Sequence, residues 1–358
     1  MERERQLRNS GTDAAPVWET VKLTTLSRDG YKLFPELLAE ARALAIGSLD
    51  GKLVIRTPAW PLWQQFGLPR AIRPMSSVVL DEGISERIEE DLKAFGRRRA
   101  WYAERGEQLF PSDLRLLIAN VVLGVPYRRG YLLHGPPGSG KSSFIRALAG
   151  TYGYEICVLN LAQRGLTDDR LNFLLASLPE RSFLLMEDVD AAFNKRVQTS
   201  ADGYQSAVTF SGFLNALDGV ASGEERVLFL TTNHLDRLDP ALVRPGRVDV
   251  VEYLGDVSPR QARRYFEQFF RVPPSDTVVA ADGEDVGMQE ILRAQAAVLE
   301  RLVAEQRLAG RTTTMATLQG HFIRHPLPEA LEPAIIEEIF HDKAKVKEAN
   351  IVPEAFPV

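Results

Sequence analysis

The stretch that most constrains this chain is Gly135-Pro136-Pro137-Gly138-Ser139-Gly140-Lys141-Ser142, which fits the phosphate-loop pattern G-x-x-x-x-G-K-[ST]. The pattern carries weight only between a strand and a helix, and both are predicted here. Tyr131, Leu132 and Leu133 lead in as an apolar strand, and Ser143-Phe144-Ile145-Arg146-Ala147-Leu148-Ala149 follows with the composition of a helix. Glycines at these positions let backbone N–H groups turn inward, and the helix N-terminus adds a positive dipole end for phosphate. The nucleotide-binding set is therefore Gly135, Pro136, Pro137, Gly138, Ser139, Gly140, Lys141, Ser142 and Ser143. Lys141 is placed to reach the β- and γ-phosphates of ATP, and the Ser142 hydroxyl to hold Mg²⁺. The competing reading is a chance glycine turn, which the flanking strand and helix argue against.

Around that loop the apolar spacing predicts an α/β protein. Downstream strands fall at Glu155–Asn160, Phe183–Met186, Val227–Leu230 and Val250–Tyr253, with helices at Thr167–Leu178, capped by Thr167, and at Phe210–Gly219. Phe183–Met186 is apolar throughout, as in a parallel strand buried on both faces. Upstream, residues 1–16 read as disordered. Residues 17–75 read as a small α+β module, with strands at Trp18–Leu26 and Leu53–Thr57, a helix at Tyr31–Ile46, and an aromatic, proline-rich connection through Trp60, Trp63 and Phe66. The core is expected over 76–257, with a strand at Ser77–Leu80, a helix at Ser85–Phe95 and an interposed segment at 107–124. Helices at Ser258–Phe270, Met288–Arg307 and Thr312–His325 predict a helical lobe over 258–327, and 328–358, rich in proline, reads as a loose tail.

Binding a nucleotide is not hydrolysing it. Hydrolysis needs a carboxylate beside the metal and a group to position water. Phe183-Leu184-Leu185-Met186-Glu187-Asp188 brings two acids to the C-terminal end of a buried strand, where an open parallel sheet binds its ligands. The metal-side set is Ser142, Glu187 and Asp188. Asn233 ends the next strand, where a carboxamide can bond the γ-phosphate or the attacking water, although Asn also ends strands for turn reasons. In Asp239-Pro240-Ala241-Leu242-Val243-Arg244-Pro245-Gly246-Arg247-Val248-Asp249, two arginines three apart can make bidentate phosphate contacts, including on a neighbouring subunit's nucleotide. The catalytic candidates are Lys141, Glu187, Asp188, Asn233, Arg244 and Arg247.

Composition narrows the partners. The net charge of −5 gives no global basic field for nucleic acid, and Arg97-Arg98-Arg99 and Arg128-Arg129 read as solvated surface charge. The single cysteine, Cys157, lies in an apolar run and reads as buried filler. His321 and His325, at i and i+4 with no third ligand evident, read as structural rather than metal-binding. No apolar run is long enough for a transmembrane helix, and the polar N-terminus has neither signal- nor transit-peptide character.

Taken together, these blocks resemble an AAA-type ATPase, with Gly135–Ser142 as Walker A, Phe183–Asp188 as Walker B, Asn233 as sensor 1 and Asp239–Asp249 as the second region of homology. More narrowly, the chain resembles the Bcs-type family of AAA proteins, the mitochondrial bc-complex chaperones. Trp18-Glu19-Thr20-Val21, Val78-Val79-Leu80-Asp81-Glu82-Gly83-Ile84, Pro126-Tyr127-Arg128-Arg129-Gly130-Tyr131 and Glu187-Asp188-Val189-Asp190-Ala191-Ala192-Phe193 carry that likeness over about residues 17–270. The resemblance implies a heptameric ring in the mitochondrial inner membrane that moves the folded Rieske iron–sulfur protein during assembly of respiratory complex III. Two features suit it. Walker B reads Glu187-Asp188, the reverse of the usual Asp-Glu order, so that by position Glu187 supports Mg²⁺ and Asp188 polarises water. The place of the threading loop, Leu161-Ala162-Gln163-Arg164-Gly165-Leu166, has no aromatic to grip an unfolded chain.

Two departures stand against the family pattern. The transmembrane segment expected ahead of Trp18 is absent, which fits either a soluble paralogue or a start placed too late. Glu107–Gly124 divides a segment that the family runs continuously, which fits either a retained intron or a real inserted helix at Asp113–Leu123. Two other readings stay open: an AAA machine acting on another complex, and a nucleotide-binding scaffold that does not hydrolyse ATP.

Overall fold

The computed structural model describes residues 2–6, 18–22, 24, 34–41, 51–106, 128–163, 165–193, 208–218, 226–270, 284–327 and 329–342. The segment 107–124 and the expected helix within it lie outside the described residues, as do residues 271–283.

At the centre is a seven-stranded sheet. In chain order its strands are β1 (Ile55–Ala59), β2 (Leu62–Gln65), β3 (Arg128–His134), β4 (Glu155–Val158), β5 (Ser182–Met186), β6 (Arg226–Thr232) and β7 (Val250–Tyr253). They lie side by side as β7-β3-β6-β5-β4-β1-β2, parallel except for the β1–β2 hairpin. The α/β class and parallel core read from the sequence are therefore those of the structure. The helices of this part are α1 (Ile84–Gly106), α2 (Lys141–Tyr152), α3 (Asp168–Ala176), α4 (Val189–Ala192) and α5 (Phe210–Asp218).

The apolar runs of the inner strands follow from burial on both faces. Side chains alternate across a strand, so Tyr131, Leu133, Phe183, Leu185 and Phe229 face one core while Leu132, Leu184, Met186 and Leu230 face the other. The first core is covered by Ile88 and Leu92 of α1 and Phe144, Ile145 and Leu148 of α2. The second is covered by Leu171, Leu174 and Leu175 of α3 and Phe213 and Ala216 of α5. Thr167 caps α3 as expected, its Oγ1 accepting from the Arg170 N–H at 3.3 Å.

Strands β1 and β2 come from the stretch read as a separate N-terminal module. β1 pairs with β4 through Ile55↔Ile156 and Arg56↔Cys157, and the Arg56 guanidinium is paired with Glu155. On β2, the buried Trp63 donates from Nε1 to the Leu174 carbonyl at 3.0 Å.

The helical lobe consists of α6 (Pro259–Phe269), α7 (Glu284–Leu308) and α8 (Met315–Arg324). Ser258 and Gln261 close a reciprocal capping box at the start of α6. His321 is buried and its Nε2 lies 2.8 Å from the Ala330 carbonyl.

Three expectations need correction. Ser77–Leu80 is not a strand: a 3-10 turn at Met75–Ser77 follows Pro74, and no strand among the described residues pairs with the segment, although Val79 and Leu80 are buried. Residues 2–6, read as disordered, form a strand antiparallel to Trp18–Lys22. Their polar composition hid a register that sets Glu2 opposite Lys22 and Arg5 opposite Glu19. Residues 329–342, read as loose tail, pack into the lobe through Ala330, Ile336, Ile339 and Phe340, and His341–Asp342 pairs with Arg311–Thr312. Pro333 there starts a short helical turn instead of breaking order.

Candidate functional site

The site lies at the C-terminal ends of β3, β5 and β6, where three short stretches of irregular backbone meet. The loop after β3 is held by its glycines. Gly135 has φ of 145°, and a Cβ there would lie 1.9 Å from the Leu254 carbonyl oxygen, so only glycine lets the strand-end backbone pass. Its N–H donates to the Thr232 carbonyl at 3.2 Å, tying the loop to the end of β6. Gly138 and Gly140 also have positive φ, and Gly140 is the N-cap of α2. The helical lobe touches this loop directly, with the Ala316 N–H donating to the Gly138 carbonyl at 3.0 Å.

Lys141 is buried, and its Nζ donates to the carbonyls of Gly135 at 2.7 Å and Pro136 at 2.9 Å and to Asn233 Oδ1 at 2.8 Å. Burial lowers its pKa, and the charges of Asp188 and Asp190 oppose that fall. Ser142 Oγ is hydrogen-bonded to the Glu187 carboxylate. Asn233 turns its other end to Asp188, donating from Nδ2 to Oδ1 at 3.1 Å. One carboxamide thus joins the loop lysine to the second acid of β5. Asp188 opens onto the cleft, yet its pKa is raised, first by partial burial and then by the charges of Asp190 and Glu187, against the pull of Lys141 and Asn233. Its backbone is left-handed, with φ 49° and ψ 51°. Asp tolerates that conformation better than longer side chains do.

The structure therefore gathers Pro137, Gly138, Gly140, Lys141, Ser142, Ser143, Glu187, Asp188 and Asn233 around one cleft of about 280 Å³. Ser139 is buried, and its hydroxyl has no hydrogen-bond partner among the described residues, a donor left over at the loop. The two arginines are not in that cleft. Arg247 is held within its own chain: its guanidinium is paired with Asp218, with Nε 2.9 Å from Oδ1, and bonds the Ala241 carbonyl. Arg244 is exposed.

Sequence reasoning missed the second layer of the site. Asp190 is buried behind Asp188 and accepts from Thr232 Oγ1 at 2.6 Å and from the Asn233 N–H at 3.4 Å. Thr231 Oγ1 accepts from the Asp188 N–H at 3.2 Å. Asp190 is two residues beyond the acid pair, and its role shows only once β5 and β6 are known to be neighbours.

With this geometry in place, comparison with known proteins fits the same frame. Residues 131–256 match the family described as "ATPase family associated with various cellular activities (AAA)", and residues 1–78 match "BCS1 N terminal". The mitochondrial chaperone BCS1 of Danio rerio is 44% identical over 327 residues, covering 90% of this chain and 68% of that protein. The chain belongs to the BCS1 family of AAA proteins. Human mitochondrial chaperone BCS1 is 47% identical over 274 residues, covering 75% of this chain and 61% of that one. The probable mitochondrial chaperone bcs1 of Schizosaccharomyces pombe is 45% identical over 324 residues, covering 90% and 62%. The chain spans between 61% and 68% of the length of these BCS1 relatives. The AAA match contains every predicted site residue, whereas the BCS1 N-terminal match takes in β1 and β2.

Proposed function

We propose that this chain is an Mg²⁺-dependent ATPase, one protomer of a homo-oligomeric ring that moves a folded protein client. The observation that carries the reading is the chain Lys141–Asn233–Asp188 beside the pair Ser142–Glu187, all at the mouth of the phosphate loop. Lys141 and the loop N–H groups hold the phosphates of ATP. The site fits a magnesium ion: Ser142 Oγ and Glu187 already face one another and are hard oxygen donors, with the Asp188 carboxylate beside them. Mg²⁺ held there by Ser142, Glu187 and Asp188 would supply charge neutralisation to the phosphates. Asp188, its pKa raised and its carboxylate oriented by Asn233, accepts the proton of the attacking water. Asp190 keeps Asn233 in register through its backbone N–H. Arg244, exposed outside its own cleft, acts on the nucleotide of the adjacent protomer. Arg247, bound to Asp218, shapes the turn that presents it.

Family membership supports the reading of client and place. The relatives are named mitochondrial chaperones, so we assign the chain to the mitochondrion. The Bcs-type resemblance extends this to a heptamer at the inner membrane and the Rieske iron–sulfur protein as client in complex III assembly. The absence of an aromatic in Leu161–Leu166 favours a folded client over a threaded one. Among the described residues no helix is long and apolar enough to cross a membrane.

The test is ATP turnover by the purified chain and by a version lacking 107–124, with Asp188→Asn in each. Turnover that needs Mg²⁺ and disappears in Asp188→Asn supports the reading. Silence in both versions refutes hydrolysis and leaves a nucleotide-binding scaffold.

A further inference from the structure

At the opposite edge of the sheet, the strands begin with a cluster of arginines. The parallel register of β3 and β6 sets Arg226 directly beside Arg128. A seven-residue strand separates this edge from the phosphate loop by roughly 20 Å. Like charges side by side on neighbouring strands repel. Arg247 reaches the same place from the turn after Gly246, and these three arginines, with Arg129, line one pocket together with Leu184 and Leu217.

Among the described residues, the acids nearby are shared or otherwise engaged. Asp218 serves both Arg247 and, at 3.5 Å, Arg128. Asp249 is occupied with the backbone N–H groups of Gly130 and Gly246. Arg129, next in the chain, is paired with Asp91 on the α1 side. That leaves Arg226 with no carboxylate among the described residues: its pKa is pushed down to about 10 by burial and by the repulsion of Arg128. Arg128 donates from Nη1 to the Leu217 carbonyl, while its Nε is buried without a hydrogen-bond partner among the described residues. A half-buried guanidinium without an anion and a buried N–H without an acceptor are both costly. The pocket has about 40 Å³ of room, enough for one small head group.

We propose that Arg128, Arg226 and Arg247 form a second oxyanion site, separate from the nucleotide cleft, that takes one carboxylate- or phosphate-sized group. Guanidinium forks suit either planar carboxylate or phosphate oxygens. The inference stands independently of ATP hydrolysis. Two sources carry this chemistry: free phosphate, and an acidic side chain of a second copy of the chain, because the pocket shares its turn with the exposed Arg244.

The experiment is thermal melting with inorganic phosphate titrated against chloride at constant ionic strength, joined to sedimentation velocity. It is run in a Lys141→Ala background, so that the phosphate loop is disabled, with and without Arg226→Met. Arg226→Lys, which keeps the charge but loses the fork, is the folded control. For a free anion, phosphate raises the melting temperature saturably by about 2–5 °C, and Arg226→Met removes the response while raising the melting temperature without phosphate. For an acid from a second copy, phosphate alone does little, and Arg226→Met and Arg226→Lys sediment as smaller species than the parent. A melting response no larger than that to chloride, together with unchanged sedimentation of Arg226→Met, overturns the proposal.

Discussion

The reversed acid pair invites a direct perturbation: exchange it, making Glu187→Asp with Asp188→Glu, so that the order matches that of most AAA proteins. Composition, charge and motif are unchanged, and a reading based on motif alone expects no loss. The backbone predicts otherwise. Position 188 is left-handed, with φ 49° and ψ 51°, where an L side chain longer than Asp or Asn costs about 1–2 kcal/mol. At position 187, a side chain one methylene shorter withdraws from Ser142, giving up a charge-assisted hydrogen bond of about 1.5–3 kcal/mol. The two together are about 2.5–5 kcal/mol, and the whole amount carried into the transition state corresponds to a fall in turnover of about 10²–10⁴. The assay is steady-state ATP turnover as a function of Mg²⁺ concentration, with each single variant beside the exchange. Glu187→Asp is expected to raise the Mg²⁺ requirement, and Asp188→Glu to lower turnover at saturating Mg²⁺. The exchange is expected to show both defects without mutual rescue. Turnover within a few-fold of the parent in the exchanged protein would refute the argument, because it would mean that neither the backbone at 188 nor the reach at 187 matters.

Other expectations separate roles that look alike in sequence. Arg244→Ala is expected to lower turnover by about 10³-fold or more while leaving the melting temperature unchanged, as for a group that acts on a neighbour's phosphates. Arg247→Ala is expected to lower stability by about 1 kcal/mol, modest because Asp218 is 42% exposed and solvent screens the pair; calorimetry and turnover on both variants decide between them. Asp188→Asn keeps the left-handed backbone, so it is expected to fold and to lose about 10²–10⁴ in turnover. Because the pKa of Asp188 is raised on folding, its ionised form opposes stability at neutral pH, and that opposition is relieved as pH falls through the raised value. Acidification therefore slows turnover while removing this one destabilising charge, and Asp188→Asn melts no lower than the parent at pH 7; a lower melting temperature contradicts the assignment. Gly135→Ala drives a Cβ to 1.9 Å from the Leu254 carbonyl, so nucleotide affinity measured by fluorescence titration is expected to be lost.

Much of this was legible because the relevant interactions are local. The phosphate loop, the apolar strand before it, the acid pair closing β5 and the Thr167 cap each depend on neighbours within a few residues. What could not be read depends on pairing at long range. Arg244 and Arg247 are the same residue type three positions apart, and only Asp218, on another element, makes one structural and leaves the other exposed. Asp190 becomes part of the site because β6 lies beside β5 and delivers Thr232 to it. Val78, Val79 and Leu80 have the composition of a strand, yet follow a 3-10 turn at Met75–Ser77 and bury Val79 and Leu80 from irregular backbone. The apolar residues of 329–342 were masked by surrounding prolines and acids until the lobe offered them a core.

The junction of β1 with β4 also has a mechanical meaning. A module hung on a flexible linker absorbs the motion of its neighbour. This one is spliced into the same sheet, clamped by the Arg56–Glu155 ion pair on one side and by Trp63 on the Leu174 carbonyl on the other. Strand β4 lies next to β5, whose end carries the acid pair. A displacement that begins at the acid pair is therefore expected to reach residues 55–65 through the sheet itself, transmitted by stiffness as in a lever.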